Sequence, residues 1–277
     1  MKVLHTIAEF RAERRKLGRL ALVPTMGALH AGHLSLMRLG KEHAPHVAVS
    51  IFVNPTQFGP KEDFTKYPRP IEADLAMCES VGVDLVFAPE AAEVYPPGSP
   101  KIAIDLPELT NVLEGAHRPG HFAGVCQVVA KLFNIVLPDM AIFGRKDFQQ
   151  LCVLTAMTKA LDWPIEIVPG PTVREEGGLA MSSRNRYLSA DERMRALCIS
   201  RSLFYARDEI AAGRRDANAI VIAMRQMIEA QQMTIDYVAA VDPKTLAPIE
   251  KVNGPTTFVI AARIGTTRLI DNLQVDD

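Results

Sequence analysis

The sequence of 277 residues lacks paired cysteines, long apolar runs and a large net charge of either sign. Lys and Arg total 31 against 32 Asp and Glu, so the formal charge is -1, and the broad basic footprint typical of nucleic-acid-binding proteins is missing. The four cysteines show no CxxC spacing, which predicts neither a zinc site nor a disulfide framework. With 48% hydrophobic residues the chain can bury a substantial core, and we expect a small-molecule partner.

Signals for export, membrane insertion and the common nucleotide-binding motifs are also missing. The N-terminal stretch is amphipathic and charged and has no continuous apolar segment of a secretory signal, and no run reaches the length of a membrane span. We therefore expect a cytoplasmic protein. No GxxxxGK[ST] is present, and no GxGxxG follows the first predicted strand, so phosphates would have to be bound by other residues.

Short apolar, β-branched segments alternate with stretches of helical spacing up to about residue 170. The predicted strands are LALVPT, HVAVSIFVN, VDLVFAP, MAIFG and IEIVPG, and the predicted helices cover about 34–43, 71–81, 125–137 and 148–161. Repeated strand, helix and strand indicate a parallel sheet with right-handed crossovers. The sequence therefore predicts an α/β protein whose N-terminal part is a doubly wound, Rossmann-like sheet.

The pattern changes after Pro169. The segment SADE from Ser189 has the form of a capping box and predicts a helix to about Ala211, with a second helix over about 218–232. The stretches TIDYVAAVD and TTFVIAARIGTTRLIDN alternate like strands of a small antiparallel sheet. We expect a smaller C-terminal α+β domain, with domains at residues 1–172 and 173–277 and a boundary near Val173.

Polar and glycine-rich stretches follow the predicted parallel strands. They are PTMGALHAGH, NPTQF, GRKDFQQ and PTVREEGGLAMSSRN. Because ligands of an open parallel sheet bind beyond the carboxyl ends of its strands, we expect these four loops to meet at one crevice. Their residue types are suited to phosphate or carboxylate.

The first of these loops places His30 and His33 three residues apart at a strand-to-helix turn bracketed by Gly27 and Gly32. Both imidazoles can point from the first helical turn to one anion, where the free backbone N–H groups and the helix dipole also favour negative charge. They could donate hydrogen bonds or a proton to a developing oxyanion. A capped helix start with ordinary surface histidines explains the pattern equally well.

Five motifs in order carry a resemblance to a known family: VPTMGALHAGH, SIFVNPTQFGP, LEGAHRPGHFAGV, FGRKDFQQL and GLAMSSRNRYLS. Together they closely resemble the pantothenate synthetase (pantoate–β-alanine ligase) family of the HxGH nucleotidyltransferase superfamily. The resemblance covers nearly the whole chain and is weakest after about Arg195. It implies an ATP-dependent ligase that joins pantoate and β-alanine through pantoyl adenylate, releasing AMP and pyrophosphate.

The same resemblance implies an ATP site built from three loops. His30, His33 and Lys146 would be catalytic, with His33 the better candidate for proton donor or phosphate stabiliser. The implied ATP-binding residues are Met26, Gly27, Ala28, Leu29, His30, Ala31, Gly32, His33, Gly144, Arg145, Lys146, Asp147, Val173, Met181, Ser182, Ser183 and Arg184. Without the family context, Lys146 would more often be solvated surface and 181–185 a flexible interdomain linker.

For pantoate, the resemblance implies Gln57 and Gln150. Side-chain amides suit a hydroxy acid because they donate to a carboxylate and accept from a hydroxyl without adding charge. Pro24, Met26 and Val129 would form an apolar wall around the gem-dimethyl group. Taken alone, either glutamine would be a surface amide.

Mg²⁺ is expected with ATP, held largely by phosphate oxygens and water. Asp74 is the nearest match to an acidic pair of the family, although Ala73 stands where the second acid would be. Arg118 and His121 match positions near the cleft, and no role is assigned to them. The resemblance also implies a homodimer and a C-terminal domain that acts as a lid.

Two alternatives stay open. Another adenylate-forming or cytidylyl-transferring member of the HxGH group would share His30, His33 and Ser182 but would not need both Gln57 and Gln150. A catalytically silent nucleotide-binding or scaffolding protein could use the same fold. Retention of the two histidines, Lys146 and Arg184 argues against the second.

Overall fold

A computed structural model describes residues 1–60, 62–100 and 102–276. Its strands, in chain order, are β1 (Lys2–Leu4), β2 (Leu20–Thr25), β3 (His46–Ile51), β4 (Leu85–Phe87), β5 (Met140–Gly144), β6 (Glu166–Gly170), β7 (Thr234–Val241), β8 (Thr256–Ile264) and β9 (Thr267–Val275). Its helices are α1 (Ile7–Arg14), α2 (Ala31–His43), α3 (Ile71–Ser80), α4 (Ala91–Val94), α5 (Pro107–Thr110), α6 (Leu113–His117), α7 (His121–Val136), α8 (Phe148–Ala160), α9 (Ala190–Ala211) and α10 (Ala217–Glu229). Short 3₁₀ turns cover Pro55–Gln57, Arg145–Asp147 and Ser183–Tyr187.

The first six strands of the described chain form one parallel sheet in the order β1-β4-β3-β2-β5-β6. After β2, the chain adds β3 and β4 on one side of that strand and then β5 and β6 on its other side. The direction therefore reverses between β2 and β5. In a doubly wound sheet this switch point is where a ligand crevice opens.

Helices cover both faces of this sheet, and β2 shows why. Successive side chains of a strand point to opposite faces, so Leu20 and Leu22 join a core with α1, α7 and α8, while Ala21 and Val23 join a core with α2 and α3. All four side chains are fully buried. The predicted doubly wound α/β fold is confirmed.

The C-terminal strands form an antiparallel sheet, β7-β8-β9, with α9 and α10 packed on one face. The predicted capping box starts α9: Ser189 Oγ accepts from the Glu192 N–H at 3.2 Å, and the Glu192 carboxylate accepts from the Ser189 N–H at 2.9 Å. The other face of the sheet packs on the first unit through Val259, against Leu113 and Phe148. A smaller α+β unit is thus confirmed, and the residue limits 172 and 173 stay a prediction.

One strand of the fold was not predicted from the sequence, and one predicted strand stretch contains two strands. Strand β1 is too short to show alternation, yet it pairs with β4 at the sheet edge. The apolar stretch near the C-terminus splits into the hairpin β8 and β9, which turns at Gly265, a residue with φ of +53°. No helix in the described ranges is long and apolar enough to cross a membrane.

Candidate functional site

The loop between β2 and α2 is held by Asp74, a side chain of α3. Its carboxylate accepts from the backbone N–H groups of Ala28 at 2.9 Å and Leu29 at 2.8 Å, and the residue is 1% exposed. Gly27 has φ of +81°, and a Cβ there would lie 2.9 Å from Asp74 Oδ2, so glycine is required on both counts. Asp74 therefore fixes the backbone that leads into His30.

The two histidines cap α2 reciprocally. The Gly32 N–H donates to Nδ1 of His30 at 3.2 Å, the His30 N–H donates to Nδ1 of His33 at 3.3 Å, and the ring centroids are 4.1 Å apart. A ring nitrogen that accepts carries no proton, so in the neutral form each proton sits on Nε2. Burial, with Lys146 and Arg186 nearby, lowers the pKa of His30 to about 4. Burial, with the adjacent His30, lowers the pKa of His33 to about 3.

These hydrogen bonds confirm that the histidine pair caps the helix start, and the role of the pair in binding an anion stays a prediction. The Nδ1 atoms cap the helix, and the Nε2 atoms are left as neutral hydrogen-bond donors near pH 7. A neutral donor can stabilise a phosphate oxygen without adding the desolvation cost of a buried cation.

Lys146 lies in the 3₁₀ turn directly after β5, the strand next to β2 at the switch point. Its charge is close enough to contribute to the lowered pKa of both His30 and His33. Its Nζ lies 3.6 Å from Asp147 Oδ1. The loops after β2 and β5 thus meet as the strand-end rule predicts, with Gly144 at the last position of β5 and Arg145 opening the turn.

The segment 181–186 crosses in front of the histidine loop. A Cβ on Gly32 would be 3.8 Å from Cβ of Met181, and Arg186 Nη2 donates to the Leu29 carbonyl at 3.4 Å. Ser182 Oγ accepts from the Arg184 N–H at 3.3 Å and starts a 3₁₀ turn. Ser183 is buried in that turn, and the Val173 carbonyl accepts from the Met181 N–H at 2.9 Å.

A cavity of about 1210 Å³ lies between the two units of the chain. Of the predicted residues, Lys146, Asp147, Gln150, Ser182 and Arg184 line it. His30, His33 and Gln57 are not among its lining residues. The structure therefore places Lys146, Ser182 and Arg184 at open space, whereas the two imidazoles do not line it.

Gln57 is in contact with its predicted neighbour Met26. Its Nε2 donates to Met26 Sδ at 3.2 Å, and its Oε1 accepts from Asn54 Nδ2 at 3.0 Å. Of the other predicted wall residues, Val129 is 4% exposed within the core face of α7, and Pro24 lies in β2. No contact joins Gln57 to Gln150 directly among the hydrogen bonds of the described residues.

Arg118 and His121 connect Gln57 to the cavity. The His121 ring Nδ1 donates to the Gln57 carbonyl at 2.9 Å, so its Nε2 accepts from Arg118 Nη1 at 3.1 Å. Burial, reinforced by the Arg118 charge, lowers the pKa of His121 to about 4. The sequence assigned these two residues no role. In the structure they hold the backbone of Gln57, a predicted pantoate-binding residue.

Several residues of the site carried no signal in the sequence. Glu62 pairs with Arg118 and Asp63 with Arg184, each through two hydrogen bonds, so two consecutive acids are held by two separate arginines of the cavity wall. Asn272 of β9 donates to the backbone of the Lys146 turn. Each of these contacts joins residues more than 50 positions apart, which single-sequence motifs do not reveal.

The described residues contain no group of three or more His, Cys, Asp or Glu side chains that could hold a metal ion. Both oxygens of Asp74 accept backbone N–H groups and the residue is buried, which does not suit a metal ligand. The donor set of this chain therefore does not fit a protein-held Mg²⁺ at Asp74.

Comparisons with known proteins agree with this geometry. A family model described as pantoate-beta-alanine ligase matches residues 2–274. Pantothenate synthetase from Moorella thermoacetica is 50% identical over 284 residues, covering 100% of both chains. The crystal structure of pantothenate synthetase from Thermus thermophilus superposes with a TM-score of 0.95 at 43% identity, again over 100% of both chains.

A further solved relative is pantoate-beta-alanine ligase from Francisella tularensis, complexed with beta-gamma ATP and beta-alanine. It has a TM-score of 0.83 and 33% identity, covering 99% of this chain and 97% of that one.

Proposed function

The chain belongs to the pantoate–β-alanine ligase family, and from that premise we propose how its own residues share the work of the reaction. The enzyme joins pantoate to β-alanine at the expense of ATP through pantoyl adenylate, and it releases AMP and pyrophosphate. The observation that supports our assignment of roles is that the His30–His33 loop and the Lys146 turn follow β2 and β5, the neighbouring strands at the switch point of the sheet.

The first step transfers an adenylyl group to the pantoate carboxylate. A carboxylate oxygen attacks the α-phosphorus of ATP, and the bond to the β-phosphate oxygen breaks as pyrophosphate leaves. Negative charge builds on the phosphate oxygens during this step, so fixed donors accelerate it. We assign that role to the Lys146 ammonium and to the Nε2–H groups of His30 and His33.

Two flanking segments would complete the nucleotide site. The 26–33 loop would follow the nucleotide, and the segment from Met181 to Arg184 would donate to its phosphates from the opposite side of the cavity. Ser182, Ser183 and Arg184 all lie in or beside one 3₁₀ turn, which keeps their donors close together. Gly144, Asp147 and Val173 would contribute backbone and side-chain contacts to the same nucleotide.

In the second step the amine of β-alanine attacks the acyl carbon of pantoyl adenylate. The new C–N bond forms, the amine loses a proton, and AMP leaves with the former carboxylate oxygen. Closure of the C-terminal unit over the cavity would exclude water, which otherwise hydrolyses the adenylate. We infer a lid role for that unit from its share of the cavity lining, which includes Tyr237 and Arg268.

Pantoate would occupy the side of the cavity that Gln150 lines, with Gln57 and Met26 behind it. The Gln57 amide is polarised by Asn54, and its backbone carbonyl is held by His121. Mg²⁺ would enter with the triphosphate as part of the nucleotide substrate, because Asp74 is engaged by backbone donors.

The test is product formation by the purified protein from pantoate, β-alanine and MgATP. We expect an amide product with stoichiometric AMP and no ADP, and pyrophosphate exchange into ATP that requires pantoate. Exchange that proceeds equally without pantoate would instead indicate another HxGH nucleotidyltransferase. A homodimer is proposed as well, and sedimentation showing a monomer would contradict it.

A further inference from the structure

Asn272 lies on β9 of the C-terminal sheet, paired with Val259 of β8, and it is 8% exposed. Its side-chain nitrogen donates to two consecutive backbone carbonyls, those of Arg145 and Lys146, both at 2.9 Å. An amide nitrogen carries two hydrogens, so one side chain serves both carbonyls at once. We propose that Asn272 is a positioning residue that fixes Lys146 for adenylyl transfer.

The residue beside it ties a second part of the site to the same strand. Asp271 accepts from Arg174 at 2.5 and 3.1 Å and from the Asn272 N–H at 2.8 Å. Arg174 stands next to Val173 at the base of the segment that carries Met181, and it also donates to the Gly178 carbonyl at 3.0 Å. Asp271 and Asn272 thus connect the lysine turn and the start of the 173–181 segment to the same strand.

This arrangement gives the C-terminal unit a specific part in the first chemical step. Lys146 has to place its ammonium at hydrogen-bond distance from a phosphate oxygen, and a displacement of about 1 Å at such a group can cost a hundredfold in rate. The 3₁₀ turn that carries Lys146 is three residues long, and its backbone is held from outside the Rossmann-like sheet by Asn272. Losing both donors frees the turn at the residue whose position matters most.

Few side chains can replace Asn at position 272, because the site needs donors for two carbonyl oxygens. Asp has the same shape but presents oxygens to the two carbonyls when ionised, and Ala or Leu presents no donor. The inference rests on the proposed role of Lys146 in ATP chemistry. It goes beyond that role because Asn272 would act through the Lys146 backbone and not on the substrate.

The matched control is Gln274, two residues along the same strand. Its amide is exposed and donates to Asp276 at 3.0 Å, away from the lysine turn. We expect Asn272→Ala to lower the rate of pantoate-dependent pyrophosphate release about tenfold or more, equivalent to about 1.4 kcal/mol in activation free energy. Gln274→Ala is expected to stay within about twofold of the wild type.

A double-mutant cycle with Lys146→Ala separates positioning from a general structural role. If Asn272 acts through Lys146, Asn272→Ala costs less than about threefold once the lysine side chain is gone. A full tenfold loss in the Lys146→Ala background would overturn the proposal. If Asn272→Ala does not fold, the uncharged Asn272→Leu, which is close to Asn in size and presents no donor, is used in the same cycle.

Amide hydrogen exchange of peptides covering residues 144–150 gives a readout that needs no activity. We expect faster exchange in Asn272→Ala than in the wild type or Gln274→Ala, and equal exchange in all three would overturn the proposal. A wild-type protein without pantoate-dependent activity would refute the proposed function, while the exchange result would still decide whether Asn272 holds the turn.

Discussion

Arg184 donates to both carboxylate oxygens of Asp63, with Nε 3.2 Å from Oδ2 and Nη2 3.0 Å from Oδ1. The side chains are 31% and 27% exposed, so the pair sits at the cavity wall and is partly screened by solvent. Arg184 is also the residue we assign to the phosphates of ATP. A phosphate oxygen and the Asp63 carboxylate would therefore compete for one guanidinium fork.

Asp63→Asn is expected to lower the KM for ATP about twofold to fivefold, because it removes a competing charge whose pairing is worth up to about 1 kcal/mol. The measurement is the initial rate of pyrophosphate release against ATP concentration. Glu62→Gln is the matched control, since it releases Arg118 instead. A higher KM for ATP in Asp63→Asn would show that the pair orders Arg184 for the nucleotide and does not withhold it.

Substitution by Ala is expected to change substrate binding at Gln150 and the free energy of unfolding at the neighbouring Gln149. Gln150 lines the cavity, and Gln150→Ala is expected to raise the KM for pantoate about tenfold with the KM for ATP within about twofold. Gln149 is buried and bonds three backbone groups, two carbonyls and the Glu114 N–H.

Gln149→Ala is therefore expected to lower the free energy of unfolding by about 2 kcal/mol. Urea titration and steady-state kinetics on both variants provide the comparison. Equal effects of Gln150→Ala on the KM of pantoate and ATP would count against the assignment of the acid pocket.

Asp74 is expected to act on the ATP loop and not on the metal. Asp74→Asn leaves one carbonyl oxygen for the N–H groups of Ala28 and Leu29, so we expect a loss of about 1–3 kcal/mol in unfolding free energy and a raised KM for ATP. Glu72→Gln, an exposed acid in the first turn of the same helix, is the control. A shift in the Mg²⁺ dependence at saturating ATP would support metal ligation by Asp74 instead.

The rule that ligands bind at strand ends predicted the meeting of the loops after β2 and β5, because it depends only on strand order and direction. Short continuous apolar segments predicted those strands, and Gly27 and Gly32 marked the turn between β2 and α2. The capping box of Ser189 and Glu192 was also readable, since its two hydrogen bonds join residues three apart.

Contacts across the chain could not be predicted in this way. Asp63 reaches Arg184 over 121 positions and Asn272 reaches Lys146 over 126, and neither residue lies in a local pattern. Asp74 is a candidate metal ligand only through the resemblance, as the nearest match to an acidic pair of the family. The structure shows both its oxygens accepting backbone N–H groups, a use that only the three-dimensional path of the loop reveals.

The free energy of unfolding is expected to fall at acid pH because the pKa of His121 is lowered in the folded protein. Its folded pKa is about 4, below the value near 6.5 of an unfolded histidine, so between these values the unfolded chain binds a proton that the folded chain does not. The stability contribution is complete above pH 6.5 and is lost as the pH falls toward 4, and the loss at pH 4.5 is roughly 2.5 kcal/mol.

Urea unfolding of wild type and His121→Gln at pH 7 and 4.5 measures this contribution. The difference between the two proteins is expected to shrink or reverse at the lower pH, because glutamine does not titrate. An unchanged difference would show that His121 is not held neutral in the folded protein.

His33 is expected to act as a neutral donor in adenylyl transfer. Burial keeps its pKa near 3, so the imidazole stays uncharged throughout the working range, and its Nε2–H faces away from the capping bond. His33→Ala is expected to lower the rate of pantoate-dependent pyrophosphate release about a hundredfold or more, as for loss of a donor to developing charge. His43→Ala, at the exposed end of the same helix, is the control.

The pH profile distinguishes this role from that of an imidazolium. A positively charged His33 with an ordinary pKa would make the adenylation rate fall as pH rises through about 6.5. We expect no such limb from His33 between about pH 5.5 and 8, and partial recovery in His33→Gln, whose side chain keeps a neutral N–H donor. An unchanged burst of pyrophosphate in His33→Ala would remove His33 from the chemistry, because the rate of adenylyl transfer would then not depend on its Nε2–H group.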